Sequence, residues 1–236
     1  MNNSSFKVLL VQNSTTPLRL GILGAGPIGR AIGRFWIDAG HHVTFGVRTP
    51  EKLLAFTGEL GPRAEAASLE QAAATADIVL NALNYQAVDE VLAATAAHLA
   101  GKILIDASNP MGVSADGRII STLASGLTAG TRTAQRLPQS TIVRAFSHVM
   151  DESLAYRGSA QPGFWAMAVV GDDPEASGIV HALVRATGFV PVHIGTLAES
   201  APLDPGGVLF PHMFTPADLT AQISASLAPA PVAIPS

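Results

Sequence analysis

A glycine-rich segment follows the first short apolar run of the chain. Its letters, GAGPIG, have the spacing G-x-G-x-x-G, and they join the apolar run Arg19–Leu23 to a stretch in which apolar residues recur at helical spacing. In such a strand–turn–helix, Gly24 permits the tight turn, Gly26 lets a pyrophosphate approach the backbone, and Gly29 lets the helix pack closely on the sheet. The amide groups of the first helical turn then favour an anion. The segment predicts a dinucleotide-binding loop formed by Gly24, Ala25, Gly26, Pro27, Ile28 and Gly29.

The end of the second predicted strand, His42–Val47, indicates which dinucleotide fits. Sites that prefer NAD place an acidic residue about 20 residues beyond the glycine loop, where it accepts hydrogen bonds from the ribose hydroxyls. Val47 stands at that position and cannot accept them. Arg48 can bind a 2′-phosphate and lie against adenine, while Thr49 adds a hydroxyl and Lys52 adds a second cation. These residues predict a preference for NADP(H).

Polar residues also follow three later predicted strands. These segments are Asn81–Tyr85, Asp106–Pro110 and Phe146–Met150. Because ligands bind outside the carboxyl ends of parallel strands, we expect four polar residues to converge beside the nicotinamide: Asn84, Asn109, Ser147 and His148. None of the segments supplies a nucleophile–base pair, and no histidine pair has the spacing of metal ligands. His148 could serve as a general acid, and a hydrogen-bonded structural histidine is an equal alternative. The catalytic residues therefore stay unassigned.

Apolar runs alternate with helix-period stretches along most of the chain, as they do in βαβ units. Thr49 and Pro50 predict a helix start with a hydroxyl cap, and Ser68 with Gln71 forms a capping box. Further strands are predicted at Ile78–Leu83, Ile103–Asp106, Thr141–Phe146, Trp165–Gly171 and Val190–Ile194, with helices at Ala87–Leu99 and Pro174–Thr187. We therefore expect an α/β fold with a doubly wound, mostly parallel sheet of the Rossmann type and a small C-terminal α/β unit.

The domain organisation follows from these elements. We expect a dinucleotide-binding domain over residues 18–147 and a small α/β unit over residues 148–226 that completes the cleft for a second substrate. Residues 1–17 are interpreted as a leader outside the core, although Phe6–Val11 could form an extra strand. Residues 227–236, which are rich in Ala and Pro, are expected to be a loose tail.

Composition excludes several classes of function. A net charge of −4 argues against a nucleic-acid partner, and the absence of cysteine removes disulfides, thiolate nucleophiles and zinc–cysteine sites. The apolar runs are too short to span a bilayer, and the first residues lack the pattern of a signal peptide. We therefore expect a cytoplasmic protein with no membrane partner. The apolar composition and the short second unit suggest a homodimer.

Five segments together resemble a known family, the NADP oxidoreductases dependent on coenzyme F420. The segments are GILGAGPIG, VRTPEK, IDASNP, AFSHV and the late AVVGDD…ATGFVPVHIG. The resemblance covers about Leu18 to Pro211. It implies hydride transfer between NADPH and a deazaflavin, or a flavin-like acceptor, with the two rings stacked in one cleft.

By this resemblance, the 2′-phosphate and the pyrophosphate are bound by the residues already named. The resemblance further implies that the strand ends face the two rings. The nicotinamide side would consist of Ala82, Leu83 and Asn109, and the acceptor side of Asn84, Ser147, His148 and Met150. Hydride transfer between two heterocycles depends on distance, stacking and exclusion of water, so no protein acid or base is obligatory.

Two other functions share the same first domain. One is an NADP-dependent dehydrogenase or reductase of a small keto or imino substrate, but such enzymes usually continue into a large helical domain. Here strands resume at Trp165, and no lysine follows Lys102 to act in catalysis. The other is a non-catalytic NADP(H) sensor, which the glycine loop alone does not distinguish from an enzyme.

Overall fold

A computed structural model describes residues 17–227. The predicted leader with its candidate strand Phe6–Val11, and the predicted tail after residue 227, lie outside the described residues. Within residues 17–227, no helix is long and apolar enough to cross a membrane.

The described chain contains ten strands, eight α-helices and three short 3-10 helices. The strands are β1 (Arg19–Leu23), β2 (His42–Gly46), β3 (Ala64–Ala67), β4 (Ile78–Asn81), β5 (Ile103–Asp106), β6 (Met111–Val113), β7 (Ile119–Ser121), β8 (Thr141–Arg144), β9 (Ala166–Gly171) and β10 (Val190–Gly195). The helices are α1 (Pro27–Asp38), α2 (Leu54–Leu60), α3 (Leu69–Thr75), α4 (Tyr85–Leu99), α5 (Ala129–Arg136), α6 (Asp151–Ala160), α7 (Pro174–Arg185) and α8 (Pro216–Leu227). The 3-10 helices are Pro50–Leu53, Leu197–Glu199 and Ala201–Leu203.

Eight of the strands form one sheet in the order β10-β9-β8-β5-β4-β1-β2-β3. All neighbouring pairs are parallel except β8 and β9, which run antiparallel. The strand order reverses between β1 and β4, which are hydrogen bonded through pairs such as Leu23 and Asn81. In a doubly wound sheet this reversal opens a crevice at the carboxyl ends of the strands, where dinucleotides bind. The predicted fold class is confirmed.

The sheet is covered on both faces, which explains why its central strands are mostly apolar. Ile22, Leu80 and Ile105 are fully buried in one cluster with helices α1 and α7. Leu23, Val79 and Leu104 are fully buried in a second cluster with α3 and α4. Side chains therefore alternate between two cores along each central strand.

The last two strands extend this sheet. β8 pairs with β9 through Val143 and Gly171, and the indole Nε1 of Trp36 on α1 donates to the carbonyl of Leu183 on α7 at 3.0 Å. The predicted small unit thus shares both sheet and core with the first part of the chain. The division at residue 147 stays a prediction.

Several local expectations differ in detail from the structure. The helix predicted to start at Thr49 begins as the 3-10 turn Pro50–Leu53, and the Thr49 side chain makes no capping hydrogen bond. The capping box of Ser68 and Gln71 is formed in both directions. Sequence periodicity did not indicate the short strand β3, the hairpin β6–β7, or helices α5, α6 and α8, because these elements carry too few apolar residues in a regular period.

Candidate functional site

The glycine loop has the geometry that its spacing predicts. Gly24 lies in the left-handed region with φ +99°, and a Cβ there would lie 2.8 Å from the carbonyl oxygen of Ala82. A Cβ on Gly29 would lie 2.2 Å from the carbonyl oxygen of Gly24, so α1 can approach the loop only without a side chain. A Cβ on Gly26 would meet nothing within 4 Å. Two glycines are therefore required by close packing, whereas the third borders open space.

The start of α1 presents unused backbone donors at this open space. Gly26 is the N-cap residue and has no side chain with which to cap the helix, and Pro27 occupies the first turn. Arg30 stabilises the glycine loop. Its Nε donates to the carbonyl of Ala25 at 2.8 Å, and its guanidinium lies 4.5 Å from the ring centroid of Phe56. The dipole of this 12-residue helix and its first amide groups favour a bound anion.

The end of β2 brings two cations to the same cavity. The backbone N–H of Val47 donates to the carbonyl of Ala67 in β3 at 3.0 Å, and that of Lys52 donates to the carbonyl of Thr49 at 3.2 Å, so backbone hydrogen bonds order this segment. Arg48 and Lys52 are exposed, and neither forms an ion pair within residues 17–227. Unpaired cations around a concave surface are suited to a phosphate.

The glycine loop and the β2 end line one cavity of about 650 Å³. It extends along a groove between the start of α3 and one face of α4. The lining residues are Gly24, Ala25, Arg30, Gly46, Val47, Arg48, Thr49, Lys52, Leu53, Ser68, Leu69, Glu70, Leu83, Asn84, Ala87, Glu90, Val91 and Ala94. The residues of α3 and α4 that line the cavity were not predicted from the sequence, because these helices come beside the glycine loop only in the folded structure.

The predicted strand-end residues converge in part. Asn109 Nδ2 donates to the carbonyl of Ser147 at 2.7 Å, which joins the ends of β5 and β8. Phe146, at φ +65°, turns the chain at this point. Asn84 caps α4, because its side chain accepts from the N–H of Gln86 at 3.3 Å, and it also lines the cavity. Ala82 packs near the glycine loop, and Met150 is 49% exposed.

His148 does not face the cleft that the sequence placed it in. Its side chain is fully buried, Nε2 accepts from the N–H of Ala168 at 3.0 Å, and Nδ1 lies 3.3 Å from the carbonyl oxygen of His212. Burial lowers the pKa of His148 to about 4. A neutral ring that accepts at Nε2 carries its proton on Nδ1. The structure thus assigns His148 the alternative role of a hydrogen-bonded structural histidine, because β9 and the segment before α8 close over it.

A buried ionic network lies beneath the ends of β5 and β8. The Arg144 guanidinium is fully buried, with Nη1 at 3.2 Å from Asp106 Oδ2 and Nη2 at 3.0 Å from Asp204 Oδ1. The other donors to Asp106 come from Asn81, Ser108 and Thr133. Burial raises the pKa of Asp204, and the charge of Arg144 opposes that rise.

Sequence reasoning noted Asp106 only as part of a strand end and missed Arg144 and Asp204, the other two members of the ionic network. A charged residue at the end of the apolar run 141–144 was the available signal, since an unpaired arginine is rarely buried. Nothing in the sequence indicated that Asp204, 60 residues later, is its partner. Among the residues that the structure describes, no three histidine or carboxylate side chains group as a metal site requires.

Comparison with known proteins agrees with this geometry. Residues 19–110 match a family described as NADP oxidoreductase, coenzyme F420-dependent. This match confirms the resemblance expected from the sequence. The first part of the chain is thus similar to NADP-dependent oxidoreductases.

Similar proteins extend the match beyond residue 110. The metalloreductase STEAP3 of Rattus norvegicus is 28% identical over 182 residues, which are 77% of this chain and 35% of that protein. The chain thus spans about a third of the length of this curated relative.

Two solved structures match more of their own length. A candidate F420-dependent NADP reductase from Arthrobacter sp. FB24 has a TM-score of 0.69 and 27% identity, covering 78% of this chain and 87% of that one. A hypothetical protein from Sinorhizobium meliloti has a TM-score of 0.74 and 25% identity, covering 85% of this chain and 96% of that one. Both alignments extend past residue 110, because 78% of this chain is more than the part that ends at residue 110.

Proposed function

We propose that this oxidoreductase transfers hydride between NADPH and a deazaflavin, coenzyme F420, or a flavin-like acceptor. The observation that carries the proposal is the cavity that extends from Gly24 and Ala25 of the glycine loop to the unpaired cations Arg48 and Lys52, with Val47 where an NAD site needs an acid.

The residues of this cavity fit NADPH. The loop Gly24–Gly29 and the start of α1 would hold the pyrophosphate, and Arg48, Thr49 and Lys52 would hold the 2′-phosphate. Ala82, Leu83 and Asn109 would border the nicotinamide. Asn109 Oδ1 and Ser147 Oγ have no hydrogen-bond partner within the described residues, which leaves polar atoms for a bound group at this edge. When bound, NADPH supplies the hydride, and the protein binds and orients it.

The strand ends support a hydride acceptor that needs no protein acid. His148 is neutral and both ring nitrogens face backbone partners, so it is not available to protonate a substrate. Transfer between two rings requires only orientation and exclusion of water. The name of the matching family and that of the Arthrobacter protein both specify F420. On the acceptor side we keep Asn84, Ser147 and Met150 as proposed contacts.

The rival keto or imino reductase is less well supported. Such an enzyme needs a proton donor, and no lysine follows Lys102. After β8 the described chain returns to the sheet as β9 and β10 and does not enter a large helical domain. An acceptor screen separates the possibilities: NADPH oxidation is followed with F420, FMN, FAD, a ferric chelate, and keto and imino acids. Turnover with the deazaflavin or a flavin supports the proposal. Turnover only with keto or imino acids, or with no acceptor at all, contradicts it.

Substituting Arg48 tests the assignment of the dinucleotide. Arg48→Ala removes a charged hydrogen-bond donor to the 2′-phosphate, so NADPH binding should weaken by about 1–3 kcal/mol while NADH binding changes little. Titration of protein fluorescence with each dinucleotide measures both. Arg118→Ala is the matched control, because this arginine is 80% exposed on the hairpin and outside the cavity lining. Equal losses of affinity for NADPH and NADH would show that Arg48 does not bind the 2′-phosphate.

A further inference from the structure

One face of α4 forms a wall of the cavity. Ala87, Glu90, Val91 and Ala94 all line it, and their spacing of three, four and seven residues places them on one side of the helix. Three of the four are apolar. Glu90 is therefore the one carboxylate on a flat apolar helix face.

The cationic end of the cavity lies on a different wall. Leu69 lies against the end of β2, because a Cβ on Gly46 would be 3.2 Å from its Cα. This contact places the start of α3, with Ser68 and Glu70, beside Arg48. Glu70 thus belongs to the phosphate end, whereas Glu90 belongs to the apolar wall.

A planar base suits this apolar wall. Small side chains such as Ala87 and Ala94 permit close approach of a ring, and Val91 adds apolar surface between them. If the 2′-phosphate is bound at Arg48 and Lys52, the purine attached to the same ribose reaches the groove between α3 and α4. This step rests on the proposed NADP site.

We propose that Glu90 recognises the base, by accepting a hydrogen bond from the 6-amino group of the adenine. A carboxylate is an acceptor only, so it favours a purine with an exocyclic amine. A purine with an oxygen at position 6 would direct lone pairs at a carboxylate that faces this position, because its N1–H donor lies on the neighbouring ring atom. The site therefore selects a 6-aminopurine dinucleotide over a 6-oxopurine dinucleotide.

The charge balance of the cavity supports the same role. Within residues 17–227 Glu90 has no ion pair or hydrogen bond that would occupy it. A free carboxylate in a cavity for phosphates opposes binding through repulsion, unless it contacts a donor on the ligand. The amine of adenine is such a donor, and it lies at the opposite end of the adenosine from the phosphates.

The experiment compares NADPH with its hypoxanthine analogue, nicotinamide hypoxanthine dinucleotide phosphate in reduced form. Dissociation constants for both are measured by calorimetry on the full chain at one pH and ionic strength. The wild type should bind the analogue about five- to tenfold more weakly, just below the range for a charged hydrogen bond because Glu90 is exposed. In Glu90→Gln the ratio should fall to about one, because an amide both accepts and donates. Glu70→Gln is the matched control and should keep the wild-type ratio.

Different results overturn different claims. Equal affinities in the wild type, a ratio unchanged in Glu90→Gln, or a ratio that collapses in Glu70→Gln would each overturn the role of Glu90 while NADPH binding stands. Failure of the wild type to bind NADPH would overturn the proposed function as well. Circular dichroism of each variant confirms that the ratio is measured on folded protein.

Discussion

Two glycines of the loop have opposite constraints, although the sequence motif treats them alike. Gly26 has extended backbone angles that any residue can adopt and borders open space. Gly29 is held against the carbonyl of Gly24. Gly26 therefore leaves space for a ligand, whereas Gly29 is required for the close packing of α1 on the loop.

This contrast predicts that substitutions at the two glycines separate binding from stability. Gly26→Val should leave the free energy of unfolding within about 1 kcal/mol of wild type, but its branched carbons should abolish binding of NADPH and NADH alike. Gly29→Ala should cost about 1–3 kcal/mol of stability, because the added carbon forces the backbone apart. Urea unfolding and dinucleotide titration measure the two effects. Normal dinucleotide binding by folded Gly26→Val would show that the pyrophosphate is not bound at this loop.

His148 links stability to pH. Its pKa is lowered by burial from 6.5 to about 4, so the folded protein keeps it neutral where the unfolded chain takes up a proton. The contribution is complete above pH 6.5 and is lost as the pH falls towards 4, and it amounts to about 3 kcal/mol.

The measurement is urea unfolding of the wild type and of His148→Gln between pH 7 and pH 4. We expect the variant to be less stable than wild type at pH 7 and to approach it at pH 4, because only the wild type loses the contribution of this ring. Other titrating groups are common to both proteins and cancel in the difference. A difference that is constant with pH would mean that His148 is not held neutral in the fold.

At the scale of elements, the ends of β5 and β8 are held together by a buried network. Arg144 at the end of β8 contacts Asp106 at the end of β5, and it also contacts Asp204 in the segment after β10. Nη1 of Arg144 in addition donates to the carbonyl of Ser108 at 3.0 Å. The network ties the strand ends that carry Asn109 and Ser147 to a distant part of the chain.

Removing the arginine should therefore be costly. Arg144→Met leaves two carboxylates buried without a cation and should lower the free energy of unfolding by about 3–5 kcal/mol. Adding Asp204→Asn should restore part of this loss, so that the double variant is more stable than additivity predicts. Arg19→Met is the control, because Arg19 pairs with Asp77 at 3.0 Å but is 67% exposed, so its removal should cost far less stability than removal of Arg144. Similar losses for Arg19 and Arg144 would contradict the network.

At the scale of the whole molecule, the single sheet and shared core connect the two parts that the sequence divided. Trp36 of α1 is fully buried in the same cluster as Leu183 and Phe189 of the later part. The two parts therefore depend on each other for burial of their apolar faces.

We accordingly predict one cooperative unfolding transition for the described chain. Scanning calorimetry should give a calorimetric enthalpy equal to the van't Hoff enthalpy. A fragment of residues 18–147 should fail to fold, because it exposes the face of α1 that packs on α7. Two resolved transitions, or a folded fragment, would instead support the division at residue 147.

Features that depend on local rules could be predicted from the sequence alone. Periodicity located β1, α1, β5 and α7 to within a few residues, and the capping chemistry of Ser68 and Gln71 was formed as expected. The glycine spacing and Val47-Arg48 predicted the dinucleotide loop and its neighbouring cations, because these residues act within one strand–turn–helix and the adjacent strand end.

Contacts between residues that are distant in sequence became apparent only in the folded structure. The α4 wall with Glu90, the partnership of Arg144 with Asp204, and the burial of His148 under β9 all join segments that are far apart in sequence. Polar residues at strand ends were predicted to face a ligand, yet such residues can equally satisfy buried backbone groups. His148 bonds to the N–H of Ala168, and Asn109 bonds to the carbonyl of Ser147. The choice between ligand and backbone depends on which chain covers the strand end, and residue types alone do not specify that packing.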